Sequence, residues 1–143
     1  MIAADTNVLV RLLVEDDQKE AAAARDLVAA ARAHQEPVLV TAPVLCELEW
    51  VLESAYGATR KDIAKALQAF LDDSVFTVDG HESVVEALAH YRETAADFSD
   101  CLIVATARRA GARTTATFDR RLRRLPGCTV LRPHARRSRS RST

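Results

Sequence analysis

Short β-prone runs alternate with longer helical runs along this chain, and this alternation restricts the fold more than any other feature. Five runs are predicted strands: residues 1–5, 36–43, 74–80, 112–119 and 128–133. The runs between them are rich in alanine or carry apolar residues at helical spacing. This order is typical of β-α-β units, in which helices cover both faces of a parallel sheet. We therefore predict an α/β fold with a parallel sheet of about five strands.

The length and composition are those of one globular domain. A chain of 143 residues can bury roughly 68–70% of its unfolded surface. Aromatic residues make up only 5% of the chain, so the predicted core consists mainly of alanine, leucine and valine. The segment from Pro133 onward has almost no apolar residue and is expected to be disordered. We predict a domain over residues 1–132 and a basic tail over residues 133–143.

The cysteines and the start of the chain indicate a cellular compartment. Cys46, Cys101 and Cys128 are odd in number and far apart, which argues against a disulfide framework or a zinc site. The opening MIAADTNVLV lacks the basic region of a signal peptide, and no apolar run approaches the ~20 residues of a membrane span. We expect a cytoplasmic protein.

Carboxylates recur where predicted strands end and helices begin. Asp5 ends the first strand, Glu47 lies early in the helix after the second, and Asp119 ends the fourth. Asp97 and Asp100 open the helix that precedes the fourth strand. The carboxyl ends of parallel strands lie along one edge of a sheet, so these acids are expected to converge there.

Clustered carboxylates favour a particular chemistry. They repel one another, and burying them is costly unless a cation lies between them. No Lys or Arg lies within three residues of Asp5, Glu47, Asp97 or Asp100. Hard oxygen ligands suit Mg²⁺ or Mn²⁺, which also bind phosphates. The predicted chemistry is metal-assisted hydrolysis of a phosphodiester.

Helix capping is the competing interpretation for each aspartate. Asp5, Asp97 and Asp119 each precede a predicted helix, and Asp100 lies where the helix dipole favours an acid. Thr6 or Asn7 is the expected cap of the first helix; Thr6 could instead hydrogen-bond a metal ligand or a bound water.

Glu47 and Glu49 are both candidates for the site carboxylate on the third predicted helix. Both lie on the flanks of its apolar face, so helical phase does not separate them. Glu47 is chosen because it lies nearer the helix N-terminus and therefore nearer the sheet edge.

Four blocks carry a resemblance to a known family. They are DTNVLVRLL from residue 5, APVLCELEWVL from 42, ADFSDCLIVATA from 96 and TATFDRRLRRLPG from 115. Together they resemble the signature motifs of PIN-domain nucleases, and in particular the VapC-type toxins of bacterial toxin–antitoxin pairs. The resemblance implies a three-layer α/β/α sandwich and an endoribonuclease that depends on Mg²⁺ or Mn²⁺. It also implies a homodimer and a small inhibitory antitoxin of the VapB type.

By position, the family's acids correspond to Asp5, Glu47, Asp100 and Asp119, with Thr6 and Asp97 as auxiliary residues. The resemblance implies that Asp5 and Asp100 hold the metal, and that Glu47 and Asp119 act directly or through water.

Other functions fit less well or stay open. A haloacid-dehalogenase-like phosphatase needs a second Asp where this chain has Asn7, and a receiver domain needs an acidic pair that is absent. None of the four histidines lies in a motif. A PIN-like module that binds RNA or protein without cutting, and a housekeeping RNA-processing nuclease, remain alternatives. The arginine-rich tail either contacts RNA or is simply solvated.

Overall fold

The computed structural model describes residues 1–136, which form five strands, six α-helices and one 3₁₀ turn. The strands are β1 (Ile2–Ala3), β2 (Val38–Val40), β3 (Phe76–Val78), β4 (Thr115–Thr117) and β5 (Cys128–Val130). The helices are α1 (Thr6–Leu13), α2 (Gln18–Ala33), α3 (Ala42–Tyr56), α4 (Arg60–Asp72), α5 (His81–Glu93) and α6 (Phe98–Arg109). The 3₁₀ turn spans Arg120–Leu122. The predicted α/β class is confirmed.

The strands are parallel, but they do not form the single sheet that the sequence predicted. β1, β2 and β3 make one ladder in that order, and β4 pairs with β5 in a second. Within residues 1–136, no strand ladder connects the two sets. β1 is only two residues long, so its outer edge offers few backbone groups to a further strand. The predicted number of strands is therefore correct, but the prediction that hydrogen bonds join them in one central sheet was wrong.

The core lies between the three-stranded sheet and the helices. Val38 and Val40 of the central strand are fully buried, which is expected for a parallel sheet covered on both faces. Phe98, at the start of α6, is also fully buried, and its ring packs edge-to-face on Tyr91 of α5 with centroids 6.2 Å apart. This contact fixes the start of α6, where two of the predicted site acids lie.

Local sequence determines where several helices begin and end. Pro43 lies in the first turn of α3, and Gly57 ends α3 with a φ of 61°, a conformation that favours glycine. The expected cap of α1 was wrong: Asp5 is the N-cap, and its Oδ1 accepts the Val8 N–H at 3.2 Å. Thr6 is the first residue of the helix and is buried.

The predicted tail extends beyond the described part of the chain. Residues 131–136 are exposed and form no helix or strand. Residues 137–143 lie outside the described residues, as do three of the four tail arginines. Within residues 1–136, no helix is both long enough and apolar enough to cross a membrane.

Candidate active site

Three of the predicted acids are brought together around one arginine. The guanidinium of Arg121 binds Asp119: its Nη2 lies 2.8 Å from Oδ2, and its Nε lies 3.2 and 3.1 Å from Oδ1 and Oδ2. Its Nη1 lies 3.7 Å from Oδ2 of Asp97. The negative charges of Asp97 and Asp119 both act on Asp100. We call Asp97, Asp100 and Asp119 the acidic cluster.

Two separate elements supply the acidic cluster. Asp97 is the N-cap residue of α6, and Asp100 lies in the first turn of that helix. Asp119 follows β4, where its backbone N–H donates to Thr117 Oγ1 at 3.0 Å and its Oδ1 accepts the Arg121 N–H at 2.9 Å. The predicted convergence at strand and helix ends is therefore observed for these three acids.

Arg60 binds the loop before Asp97 at three points. Nη2 of Arg60 donates to the carbonyl oxygens of Tyr91, Thr94 and Ala96 at 2.7, 3.0 and 2.8 Å. The same guanidinium lies over the Tyr91 ring, 4.0 Å from its centroid. Arg60 therefore fixes the path of the chain from α5 into the acidic cluster.

Opposing effects act on the acids of this cluster. Burial raises the pKa of Asp100, and the charges of Asp97 and Asp119 raise it further, although Arg121 acts in the opposite direction. Hydrogen bonds from Arg121 lower the pKa of Asp119. The two carboxylates therefore differ: Asp119 is stabilised as an anion, whereas the ionised form of Asp100 is disfavoured.

Glu49, the alternative to Glu47 on the third predicted helix, holds the start of α6. Its side chain is 5% exposed, and its Oε2 and Oε1 accept the N–H groups of Phe98 and Ser99 at 2.6 and 3.0 Å. Asp97 makes no capping hydrogen bond of its own. The capping role proposed for Asp97 is thus filled by Glu49 from α3, and the Asp97 carboxylate points to Arg121 instead.

Asp5 and Glu47 lie outside these contacts. Asp5 is exposed and caps α1, so the capping interpretation holds for this residue without excluding a second role. Glu47 is exposed, and among residues 1–136 its carboxylate has no hydrogen-bond or ion-pair partner. It follows Cys46, whose thiol pKa is raised by burial and then by the charges of Glu49 and Asp100. The start of α3 is therefore within electrostatic reach of the acidic cluster.

The sequence profile of the PIN domain matches residues 2–127. The chain belongs to the PIN-domain family. It is similar to a VapC ribonuclease of Aquifex aeolicus (strain VF5), with 32% identity over 95 residues that cover 66% of this chain and 70% of the relative. No solved structure is a significant match to the chain. The predicted resemblance to PIN-domain proteins is confirmed.

The donor chemistry of this PIN domain suits a hard divalent cation. Its acidic cluster offers carboxylate oxygens alone, the ligands that Mg²⁺ and Mn²⁺ prefer. A cation, the guanidinium of Arg121, already lies between Asp97 and Asp119. Within residues 1–136, however, no three His, Cys, Asp or Glu side chains lie close enough to ligate one ion together. The residues therefore fit such a cation in kind, and the guanidinium of Arg121 is the positive group that two of them bind.

The roles of Glu49 and Arg121 were not predicted from the sequence. For Glu49 the pattern contained a weak signal, because a glutamate on the flank of an apolar helix face can reach a neighbouring helix. For Arg121 the signal was its position two residues after Asp119, where a tight turn brings the two side chains together.

Proposed function

We propose that this PIN domain is a metal-dependent endoribonuclease that hydrolyses phosphodiester bonds in single-stranded RNA. The observation that carries the proposal is the convergence of Asp97, Asp100 and Asp119 from two separate elements of a PIN-domain chain. The similarity to a VapC ribonuclease supports RNA as the substrate.

The proposed site consists of Asp5, Glu47, Asp100 and Asp119. Asp5 and Asp100 would hold Mg²⁺ or Mn²⁺, with Glu47 and Asp119 acting directly or through water, and Thr6 and Asp97 as auxiliary residues. When bound, the ion would supply an activated water and neutralise charge on the phosphoryl oxygens. Burial, together with repulsion from Asp97 and Asp119, raises the pKa of Asp100, and a bound cation would relieve that repulsion.

We further propose that the nuclease is the toxin of a type II toxin–antitoxin pair, a cytoplasmic protein that forms a homodimer and binds a small VapB-like antitoxin. A free nuclease would harm its own cell, so a co-expressed inhibitor is expected. The Asp119–Arg121 pair supports one route of inhibition, since it demonstrates that the acidic cluster accepts a guanidinium through two of its nitrogens. An arginine from a partner could bind there in the same way.

Cleavage of a labelled single-stranded RNA with Mg²⁺ or Mn²⁺ tests the nuclease proposal. Asp5→Asn should reduce the rate at least a hundredfold (roughly 2.7 kcal/mol of barrier), yet asparagine caps a helix as well as aspartate, so α1 should remain intact. Asp17→Asn is the matched control: Asp17 caps α2, accepting the Glu20 N–H at 3.0 Å. It should cleave like the wild type. If the wild type cleaves no RNA with either metal, the chain is a silent binding module.

Growth of a bacterial host tests the toxin proposal separately. Expression of the wild type should arrest growth, co-expression of the protein encoded beside it should restore growth, and Asp5→Asn should be harmless. A wild type that cleaves RNA in vitro but leaves growth unaffected would favour a housekeeping RNA-processing nuclease.

A further inference from the structure

The segment RRLRRL, residues 120–125, presents four arginines on one side of a tight turn. Successive hydrogen bonds run three residues back along it, from Leu122 N to Asp119 O, from Arg123 N to Arg120 O and from Leu125 N to Leu122 O. With this spacing, side chains three apart eclipse one another. Leu122 and Leu125 are therefore buried together, at 4% and 3% exposure, and the arginines between them face outward.

These arginines line a groove next to the acidic cluster. The groove has a volume of about 430 Å³, and its walls are Arg120, Arg121, Arg123 and Arg124 on one side and residues 93–95 on the other. Arg121 lines the groove and also binds Asp119. Arg121 therefore connects the groove to the acidic cluster.

The charge of the groove is largely uncompensated. Among the described ion pairs, those of this segment involve Arg121 alone, and Arg120, Arg123 and Arg124 have no acidic partner within residues 1–136. Glu93 is the one acid in the lining. A flexible anion with regularly spaced charges would satisfy three neighbouring arginines at once, and the backbone of a nucleic acid is such an anion.

An exposed aromatic ring lies two residues before this segment in the sequence. Phe118 directly precedes Asp119, and 66% of it is exposed. A positively charged groove combined with an accessible ring is the arrangement by which proteins bind single strands, since the groove follows the phosphates and a base stacks on the ring.

We propose that the groove of Arg120, Arg123 and Arg124 binds the phosphates that flank the scissile bond of single-stranded RNA, and that Phe118 stacks on one of its bases. This inference rests on the proposed nuclease function, because it places the strand in the acidic cluster through Arg121. It goes beyond that function by assigning residues that select and orient the strand.

Binding of a fluorescent single-stranded RNA, measured by anisotropy in a chelating buffer that prevents cleavage, tests the groove. The triple variant Arg120→Gln/Arg123→Gln/Arg124→Gln should reduce the slope of log affinity against log salt by about 2, since each lost phosphate contact removes about 0.7. Affinity at about 0.1 M salt should fall roughly ten- to a hundredfold. The control Lys19→Gln/Lys61→Gln/Lys65→Gln removes the same charge from exposed positions on α2 and α4 and should bind like the wild type.

The ring is tested in the same assay. Phe118→Ala should weaken binding about five- to a hundredfold without changing the salt slope, and Phe118→Tyr should restore it. Displacement of the RNA by polyglutamate, together with an unchanged affinity of Phe118→Ala, would identify the groove as a site for an acidic protein and overturn the proposal.

Cleavage by the wild type with Mn²⁺, measured on the same RNA, separates the two proposals. If the wild type cleaves the RNA while the triple variant binds it as tightly as the control, the groove proposal is wrong and the nuclease proposal stands. If the triple variant loses binding while the wild type cleaves nothing, the nuclease proposal is wrong and the groove remains a site for single-stranded RNA.

Discussion

Replacing Glu49 with alanine should unfold the protein at a markedly lower temperature. The carboxylate accepts two N–H groups at the start of α6, and alanine leaves both without an acceptor. An unsatisfied buried donor costs about 1–3 kcal/mol. Phe98 is fully buried, and Ser99 is half-buried so that water can partly replace the lost bond. The expected loss in the free energy of unfolding is about 2–4 kcal/mol. Part of this loss is offset, because the substitution also removes a carboxylate whose pKa is raised by burial.

Thermal melts followed by circular dichroism in chelator measure this loss. For a chain of this size each kcal/mol moves the melting temperature by roughly 3 °C, so Glu49→Ala should melt roughly 6–12 °C below the wild type. Glu49→Gln keeps one acceptor oxygen but loses the negative charge at the helix start, and it should fall between the two.

Glu47→Ala is the matched control, because Glu47 is exposed on the same helix only two residues away. Its stability should stay within about 0.5 kcal/mol of the wild type, while its cleavage of RNA should be lost if Glu47 belongs to the site. Equal melting temperatures for Glu49→Ala and the wild type would refute the capping argument. An equal loss in both variants would refute the division of roles between the two glutamates.

Three further predictions follow from individual contacts. Asp100→Asn should melt at or above the wild type in chelator and should respond less to Mn²⁺, because it removes both repulsion and a proposed ligand; a clear loss of stability would instead indicate a capping role. Arg121→Gln should lower the melting temperature in chelator, and Mn²⁺ should raise that temperature more than in the wild type, because the guanidinium that competes for Asp119 is gone. An unchanged affinity for Mn²⁺ in titration calorimetry would contradict this. Hydrogen bonds from Arg32 lower the pKa of Asp73, so this pair stabilises the fold above the unfolded pKa and the stabilisation is lost as pH falls through the folded pKa. Asp73→Asn should therefore cost about 0.2–1 kcal/mol near neutral pH and nothing in strong acid, as urea titrations at several pH values would reveal.

Local pattern was sufficient to predict much of the fold. Pro43 and Gly57 mark the two ends of α3 through backbone restrictions that can be read from the sequence alone. Asp97, Asp100 and Asp119 meet because strand ends and helix starts meet in parallel α/β folds, a rule that needs no knowledge of side-chain packing.

What the sequence did not reveal depends on contacts between distant elements. The division of the strands into sets of three and two is decided by which edges form hydrogen bonds, and β1, at two residues, gives no pattern from which to infer it. Helical phase did not separate Glu47 from Glu49, and Glu47 was chosen only because it lies nearer the N-terminus of the helix. What distinguishes them is the position of α6, whose N-terminus lies against Glu49 alone.

The eclipsed leucines of the RRLRRL segment have an evolutionary consequence. Because Leu122 and Leu125 are the buried residues of this segment, the three arginines that have no acidic partner among the described residues can change with little effect on the stability of the domain. Successive substitutions there would adjust the strength of nucleic-acid binding in small steps, while the core and the carboxylates stay as they are. Related chains would be expected to diverge in charge at these positions and to keep the spacing of the two leucines, since a single inserted residue would turn an arginine into the core.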